Sequence, residues 1–253
     1  MNHYPKEATE KGCSSAYSME DEIVRERETQ AIISTIRAHY LRMNLPLKVF
    51  DFGCGNGHTI HTLLGCFPDF EYFAVDTCKE AMDLCKQRFI EHPQVKLEYP
   101  KERCDVVICQ RVLINMLSLS AQHSIVSNLI TNYVCQPTVW TSGGIIIFLE
   151  CFEGPLKNLN EARLELYLVP IEPAAHNLYL PNEFFDKHSE LKPFLSESVP
   201  PPNFLSSHYY ISRVLHPGLG HTGRNSHFVK FFSNAINNTG DYAPLKLYVM
   251  ELR

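Results

Sequence analysis

The chain has 253 residues, of which 45% are hydrophobic and 20% are charged, and its formal net charge is −5 at pH 7. This length and apolar content are sufficient for a sizeable buried core in one or two domains. The mild acidity, with no Lys/Arg stripe and no basic–aromatic patch, argues against a nucleic-acid partner. The N-terminal residues lack an apolar leader and no apolar run is long enough to span a bilayer. The sequence therefore predicts a cytoplasmic protein without a membrane partner.

The chain contains nine cysteines, and none of them forms a C-x-x-C pair. Cys54, Cys85, Cys109 and Cys135 lie inside or beside predicted strands and helices. We therefore expect reduced thiols that pack as small apolar residues. Zinc binding is the alternative, but the spacing of zinc-ligand pairs is absent, and no metal site is predicted.

The first predicted elements precede the sheet. Residues 1–19 are predicted to be a flexible segment or a lid, and residues 20–253 a single domain. An amphipathic helix is predicted from Glu20 to Arg42, because apolar residues line one face and charged residues fill the other. The apolar face consists of Ile23, Ile32, Ile33, Ile36 and Tyr40.

A buried strand is predicted at residues 47–52, and it ends in a glycine-rich turn, V-F-D-F-G-C-G-N-G from Val49 to Gly57. Glycine accepts the positive φ angles of a sharp turn, and its missing side chain allows a ligand to lie against the backbone. In open α/β sheets, ligands bind at the carboxyl ends of such strands. A nicotinamide or flavin fingerprint, G-x-G-x-x-G, is the alternative, but it requires a third glycine where this chain has His58.

A helix at residues 58–67 and a strand at residues 71–76 complete a βαβ unit, since parallel strands need such a crossover. The second strand ends in Asp76, whose carboxylate is placed to accept hydrogen bonds from the two hydroxyls of a ribose. The alternative is an exposed turn acid, or a cap for the next predicted helix at residues 79–90.

The rest of the chain continues the alternation. Strands are predicted at residues 95–99, 104–109 and 144–149 and a helix at 121–133, which indicates a doubly wound, mostly parallel α/β sheet. Residues 151–204 are too long for a simple loop and are predicted to cover the substrate side, with helices near 159–166 and 183–189. Strands at 207–215 and 245–252 are predicted to form an antiparallel pair, with a helix near 228–236 between them.

Together, the glycine turn, Asp76 and the segment C-D-V-V-I-C-Q-R-V-L-I-N-M (104–116) resemble class I S-adenosylmethionine-dependent methyltransferases from about residue 20 to the end. The resemblance implies a Rossmann-like, seven-stranded sheet with an antiparallel final strand, and S-adenosyl-L-methionine as the cofactor. The chain departs from the family at residues 97–100, which replace the usual adenine loop, so that Tyr99 either stacks on the adenine or is ordinary packing. The implied cofactor-binding residues are Asp51, Gly53, Cys54, Gly55, Asn56, Gly57, Asp76, Thr77, Tyr99, Gln110 and Arg111.

Three further segments resemble a bacterial branch of this superfamily: L-N-E-A-R (159–163), H-N-L-Y (176–179) and S-R-V-L-H-P (212–217). Some members of that branch O-methylate surface polysaccharides or their phosphoramidate precursors. This resemblance implies methyl transfer to an oxygen of a small molecule or of a sugar- or phosphate-linked metabolite. The implied substrate-binding residues are Asn177, Tyr179 and Arg213.

In-line methyl transfer needs an acceptor held close and collinear, but no covalent enzyme intermediate, so the cysteine of the glycine turn is interpreted as packing. A neutral alcohol must lose its proton, and the candidates for the base are His176, then His216, with Glu150 as a third. Each of them has a structural alternative; Glu150 as easily caps its strand. If the acceptor is an anionic phosphate oxygen, no base is needed, and Arg111, Arg213 and the histidines become charge partners.

Other functions stay open. A nucleic-acid N6-adenine methyltransferase would carry a D/N-P-P-Y/F loop after the fourth strand, where this chain has Q-R-V-L. A protein methyltransferase, or a non-catalytic methyltransferase-like binding scaffold, is a further alternative, although neither the glycine turn nor Asp76 is degraded. An NAD-dependent oxidoreductase is the last of the alternative functions.

Overall fold

A computed structural model describes residues 3–14, 16–17, 19–139 and 142–253 of the chain. Seven strands form one sheet: β1 (Lys48–Phe52), β2 (Glu71–Val75), β3 (Val95–Lys96), β4 (Val106–Gln110), β5 (Ile145–Cys151), β6 (Leu191–Pro193) and β7 (Leu245–Leu252). The helices are α1 (His3–Lys11), α2 (Glu22–Met43), α3 (His58–Cys66), α4 (Lys79–Arg88), α5 (Leu119–Asn128), α6 (Glu153–Glu165), α7 (Ser206–Tyr210), α8 (His216–Gly218) and α9 (His227–Ala235). Short 3₁₀ turns occupy Leu113–Asn115 and Phe184–Lys187, and π-helical turns occupy Leu129–Tyr133 and Ile211–Leu215.

The strand order is β3-β2-β1-β4-β5-β7-β6. The first five strands are parallel, and β7 is antiparallel to both of its neighbours. The order changes direction between β1 and β4, and in sheets of this kind the carboxyl ends of the strands at that point border a ligand crevice. The predicted doubly wound sheet of seven strands with an antiparallel final strand is confirmed.

Both faces of the sheet are covered, so its central strands are apolar on both sides. Every residue of β5 is buried. On one face, Val49 and Ile108 pack in the same core as residues of α2, α3 and α6. On the other face, Phe50 packs with Val126 of α5 and with the turn at Phe184. Within the described ranges, no helix combines the length and the apolar character needed to cross a bilayer.

One predicted element is wrong. Residues 207–215 are not a strand but most of α7 and the π-helical turn after it. In the helix, Ser212 Oγ donates to the carbonyl of His208 one turn earlier, at 2.7 Å. The sixth strand is instead β6, which lies in the covering segment and pairs with β7.

The N-terminal segment contains a helix, α1, which lies against α4. Ala8 and Tyr17 are buried there with Ala81. The buried side chain of Asn56 in the glycine turn donates to the carbonyls of Gly12 and Ser14, at 2.9 and 3.0 Å. Residues 1, 2, 15 and 18 of the predicted flexible segment lie outside the described residues. The described part of the segment is therefore fastened to the edge of the sheet that carries the glycine turn.

Candidate functional site

A cavity of about 390 Å³ opens at the carboxyl edge of β1, β2 and β4. It is bordered by the N-terminal segment, the glycine turn, the ends of β2 and β4, the 3₁₀ turn after β4 and the covering segment. Its lining includes His3, Tyr4, Tyr17, Arg25, Asp51, Gly53, Cys54, Gly55, Asn56, His58, Thr59, Asp76, Thr77, Tyr99, Gln110, Arg111, Val112, Ile114, Asn115, Met116, His176 and Asn177. The position matches the crevice that the strand order predicts.

The glycine turn has space for backbone only. Gly53 and Gly55 have φ angles of +83° and +55°. A Cβ on Gly53 would lie 2.4 Å from a methyl group of Val112, and one on Gly55 would lie 2.9 Å from the ring of Tyr17. The N–H of Gly53 donates to the carbonyl of Val75 at 2.9 Å, which fixes the turn against the end of β2. Glycine is required here by conformation and by contact.

Asp76 lies at the end of β2, and backbone groups orient its carboxylate. Oδ2 accepts from the N–H of Gly55 and Oδ1 from the N–H of Cys78, each at 2.8 Å. Each carboxylate oxygen keeps a lone pair for a further donor, because it can accept two hydrogen bonds. The residue therefore orders the next turn and also faces the cavity.

Asp51 is the buried acid of β1, and it also lines the cavity. Its Oδ2 has no hydrogen-bond partner in the described part of the chain. Burial, and then the charge of Asp76, raise the pKa of Asp51 to about 7. A cation bound beside this oxygen would satisfy it and stabilise its ionised form.

Gln110 and Arg111 lie at the end of β4 and line the cavity. Gln110 accepts a hydrogen bond from the hydroxyl of Thr59 at 3.0 Å. Arg111 has a left-handed backbone conformation, with φ of +55°, and its guanidinium pairs with the fully buried Glu28 of α2. Arg25 lies on the other side of the same carboxylate, at 4.0 Å. Both cavity arginines are thus held beside one acid.

Glu150 lies outside the cavity lining, and its surroundings indicate a structural role. Its carboxylate accepts from the backbone N–H groups of Val112, Leu113 and Ile114, at 2.8, 2.9 and 3.3 Å. Burial raises the pKa of Glu150 to about 7, against the opposing effect of these donors. The side chain therefore orders the turn after β4, and this geometry disfavours Glu150 as the base.

His176 and Asn177 do line the cavity. The ring of His176 stacks on that of His3, with centroids 4.4 Å apart, and the ring of Tyr4 stands edge-on to it at 6.1 Å. Burial, and then the neighbouring His3, lower the pKa of His176. Tyr4 also donates its hydroxyl hydrogen to Asn115 Oδ1 at 2.9 Å.

The other predicted substrate residues, Arg213 and Tyr179, and the candidate base His216 are not among the residues that line this cavity. Arg213 pairs with Asp21, the N-cap of α2, at 2.9 Å. His216 stacks on Phe228, with centroids 5.3 Å apart. Tyr179 is partly buried against the apolar core. These residues take part in packing and ion pairing away from the cavity, so the structure does not bring them to the predicted site.

Most of the predicted cofactor residues do meet at the cavity, with Cys54, Asn56, Thr77 and Tyr99 among its lining. Gly57 is the exception, because it precedes α3 as its N-cap and lies behind the turn. Tyr99 also stacks on Tyr133, with centroids 5.9 Å apart. Sequence reasoning missed His3, Tyr4, Tyr17 and Asn115, since no periodic pattern connects the N-terminal segment with the turn after β4.

Comparison with known proteins shows one similarity in sequence and several in fold. Residues 49–131 match the sequence model of a methyltransferase domain family, and this range contains the glycine turn, Asp76 and the segment after β4. This part of the chain is therefore similar in sequence to methyltransferase domains. None of the curated proteins matches it significantly over its sequence.

Three solved methyltransferase structures share the fold of this chain. The plantazolicin methyltransferase BamL, solved with a desmethyl-plantazolicin analogue and S-adenosylhomocysteine, is 14% identical, with a TM-score of 0.54 over 99% of this chain and 97% of its own. PKMT2 from Rickettsia typhi, solved with S-adenosylhomocysteine, is 13% identical, with a TM-score of 0.52 over 88% of this chain and 53% of its own. The chain therefore spans about half the length of PKMT2. Magnesium protoporphyrin IX methyltransferase from Synechocystis PCC 6803, solved with S-adenosylmethionine, is 14% identical, with a TM-score of 0.51 over 93% of this chain and 83% of its own.

Proposed function

We propose that the cavity binds S-adenosylmethionine and that the chain transfers the methyl group to an oxygen of a small molecule. One observation carries the proposal. The glycine turn of a methyltransferase fold borders a cavity that also contains a buried carboxylate oxygen without a partner among the described residues, Asp51 Oδ2, and a backbone-oriented carboxylate, Asp76.

The residues present fit this cofactor. Asp76 would accept hydrogen bonds from the ribose hydroxyls, as the end of β2 does in related nucleotide-binding folds. Asp51 would pair with the ammonium group of the methionine part, which supplies both a hydrogen-bond donor and a counter-charge for its unpartnered oxygen. Thr77 and Tyr99 border the side where the adenine would extend, and Gln110 borders the methionine side. When bound, S-adenosylmethionine supplies an electrophilic methyl group attached to a sulfonium sulfur.

The acceptor side of the cavity supports an alcohol rather than a phosphate. A hydroxyl must lose its proton as it gains the methyl group, and His176 is the group that we propose receives it. Because its pKa is lowered, His176 is neutral at pH 7 and has a free lone pair for that proton. Arg111 and Arg213, two of the charge partners expected for a phosphate, are engaged with Glu28 and Asp21.

Binding of S-adenosylhomocysteine to the full chain tests the cofactor assignment. We expect the wild-type protein to gain thermal stability with the ligand, by mass action. The double substitution Gly55→Val with Asp76→Ala should abolish this gain. Asp83→Ala, on the exposed side of α4 and away from the cavity, is the matched control and should keep it. A response to NADH with none to S-adenosylhomocysteine would refute the proposal in favour of an oxidoreductase.

Methyl transfer itself is followed with radiolabelled S-adenosylmethionine and a panel of alcohols and amines. Label appearing on an alcohol oxygen supports the assignment of the acceptor atom. Label appearing only on amines, or on a protein, would contradict it while leaving the cofactor assignment intact.

A further inference from the structure

Part of the cavity is bordered by His3, Tyr4, Asn115, His176 and Asn177, and we call this part the acceptor compartment. Three of its residues form an aromatic wall of two stacked rings and one perpendicular ring. His3 and His176 are stacked with an angle of 26° between their planes, and Tyr4 stands edge-on to both. Such a wall offers ring faces and edges, which favour flat aromatic ligands over saturated ones.

Two segments far apart in sequence contribute to this wall. Tyr4 is fixed to the turn after β4 by its hydrogen bond to Asn115. Asn115 is itself held in place, since its side-chain amide donates to the carbonyl of Arg111 at 2.7 Å. The covering segment is tied to the same turn, because the N–H of Leu178 donates to the carbonyl of Ile114 at 2.7 Å. The compartment is therefore a fixed feature of the fold.

The charge of the compartment disfavours an anionic ligand. Its five residues carry no carboxylate, ammonium or guanidinium side chain. Among the described residues, the two arginines of the cavity lining, Arg25 and Arg111, both lie beside Glu28. The two guanidinium groups share that one acid, and the carboxylates of Asp51 and Asp76 also line the cavity, so a phosphate or carboxylate ligand would meet further acids there.

One polar atom of the compartment lacks a partner. Asn177 Oδ1 is buried and accepts no hydrogen bond in the described part of the chain. The backbone of Asn177 is fixed, since its N–H donates to the carbonyl of Ala174 at 2.8 Å. A buried acceptor left without a donor destabilises a structure, so a ligand that supplies a hydroxyl or N–H hydrogen would be favoured at this position.

From these three features we infer that the methyl acceptor is an uncharged, planar aromatic compound that carries a hydroxyl, with the ring on the wall of His3, Tyr4 and His176 and the hydroxyl donating to Asn177 Oδ1. Asn177 is then a positioning residue, because it holds the hydroxyl in the compartment until its one hydrogen turns from Asn177 Oδ1 to His176, which takes the proton as the oxygen gains the methyl group. The inference rests on the proposed function, since it assigns the acceptor of that same site.

A matched set of probes tests each part of the inference on the complex of the full chain with S-adenosylhomocysteine. The set is 2-naphthol, 2-naphthyl phosphate, decahydro-2-naphthol and 2-methoxynaphthalene, which vary the charge, the planarity and the hydrogen-bond donor on one skeleton. Dissociation constants are measured by calorimetry or by ligand-observed NMR. We expect 2-naphthol to bind about tenfold more tightly than the phosphate and the saturated alcohol, and about five- to tenfold more tightly than the methyl ether.

Three variants show which residue is responsible for each binding preference. Asn177→Ala should remove the preference for 2-naphthol over 2-methoxynaphthalene and leave the affinity for the ether unchanged. Tyr4→Ala should remove the preference for the planar ring, whereas Tyr4→Phe, which keeps the ring, should retain it. Lys6→Ala changes an exposed residue of the same helix and is the matched control.

The outcomes separate the two proposals. If S-adenosylhomocysteine does not bind, the proposed function fails. If it binds but 2-naphthyl phosphate or the saturated alcohol is preferred, the acceptor inference is overturned and the proposed function stands. Equal affinity for naphthol and its ether, or an unchanged preference in Asn177→Ala, refutes the role of Asn177, provided that the variant melts at the wild-type temperature with the cofactor product bound.

Discussion

The ionisation of Asp51 should control cofactor affinity near neutral pH. Its carboxyl group is buried, its Oδ2 lacks a partner among the described residues, and its pKa is raised to about 7. The ammonium group of the cofactor binds the ionised form preferentially, so affinity should rise as the pH rises through 7 and level off above it. For a group of this pKa, the apparent dissociation constant of S-adenosylhomocysteine should fall about tenfold between pH 6 and pH 8, or roughly 1.4 kcal/mol.

The assay is titration calorimetry of S-adenosylhomocysteine from pH 6 to pH 8, with methylthioadenosine in parallel. Methylthioadenosine keeps the adenine and ribose but lacks the ammonium group, so its affinity should change little over this range. Asp51→Asn should bind S-adenosylhomocysteine weakly and without this pH dependence. His58 also lines the cavity, but burial lowers its pKa to about 4, outside this window. The same pH profile in wild type and Asp51→Asn would refute the reasoning.

In the ligand-free protein, the ionisation of Asp51 should lower the stability of the fold rather than favour a bound ligand. A carboxyl whose pKa is raised on folding stabilises the fold at low pH, and this contribution is lost as the pH rises through the raised value. Asp51→Asn should therefore raise the melting temperature of the ligand-free protein more at pH 8 than at pH 5. A lower melting temperature at pH 8 would show that the ionised Asp51 has a partner in solution.

Further substitutions test the remaining structural assignments. Asp21→Ala leaves Arg213 buried without its partner and should lower the free energy of unfolding by about 3–5 kcal/mol, measured by urea denaturation. Glu150→Gln weakens the three backbone hydrogen bonds and should cost about 1–3 kcal/mol in the same assay; a loss of turnover at unchanged stability and cofactor affinity would instead restore a catalytic role. Gly55→Ala should weaken S-adenosylhomocysteine binding more than tenfold, because φ is +55° and the added Cβ meets the Tyr17 ring. Its control, Gly65→Ala in α3, meets no atom within 4 Å and should raise stability by about 0.5–1 kcal/mol with unchanged binding.

The structure agrees best with the sequence where function depends on short stretches of chain. The strand, glycine turn, helix, strand and acid from Val49 to Asp76 are encoded by local apolar periodicity and by backbone conformations that glycine permits. Parallel strands joined by a crossover must then place Asp51, Gly53 and Asp76 at one edge of the sheet. For this reason the cofactor side of the cavity follows from the sequence almost residue by residue.

The acceptor side depends on contacts between distant residues. His208 and Asp21 are 187 positions apart, yet their 3.0 Å hydrogen bond helps to hold the segment at 207–215 as a helix and draws Arg213 away from the cavity. A strand-like alternation of apolar residues could not reveal that buried partner.

The sequence by itself determined the fold class and the glycine turn, because both arise from patterns that repeat over a few residues. Only the tertiary structure decided that Glu150 binds backbone N–H groups, that His176 rather than His216 borders the cavity, and that the N-terminal helix completes it. The physical reason is that hydrogen bonds and ring contacts select residues by proximity in the folded chain, and proximity across 111 positions, as between Tyr4 and Asn115, leaves no periodic trace in the sequence.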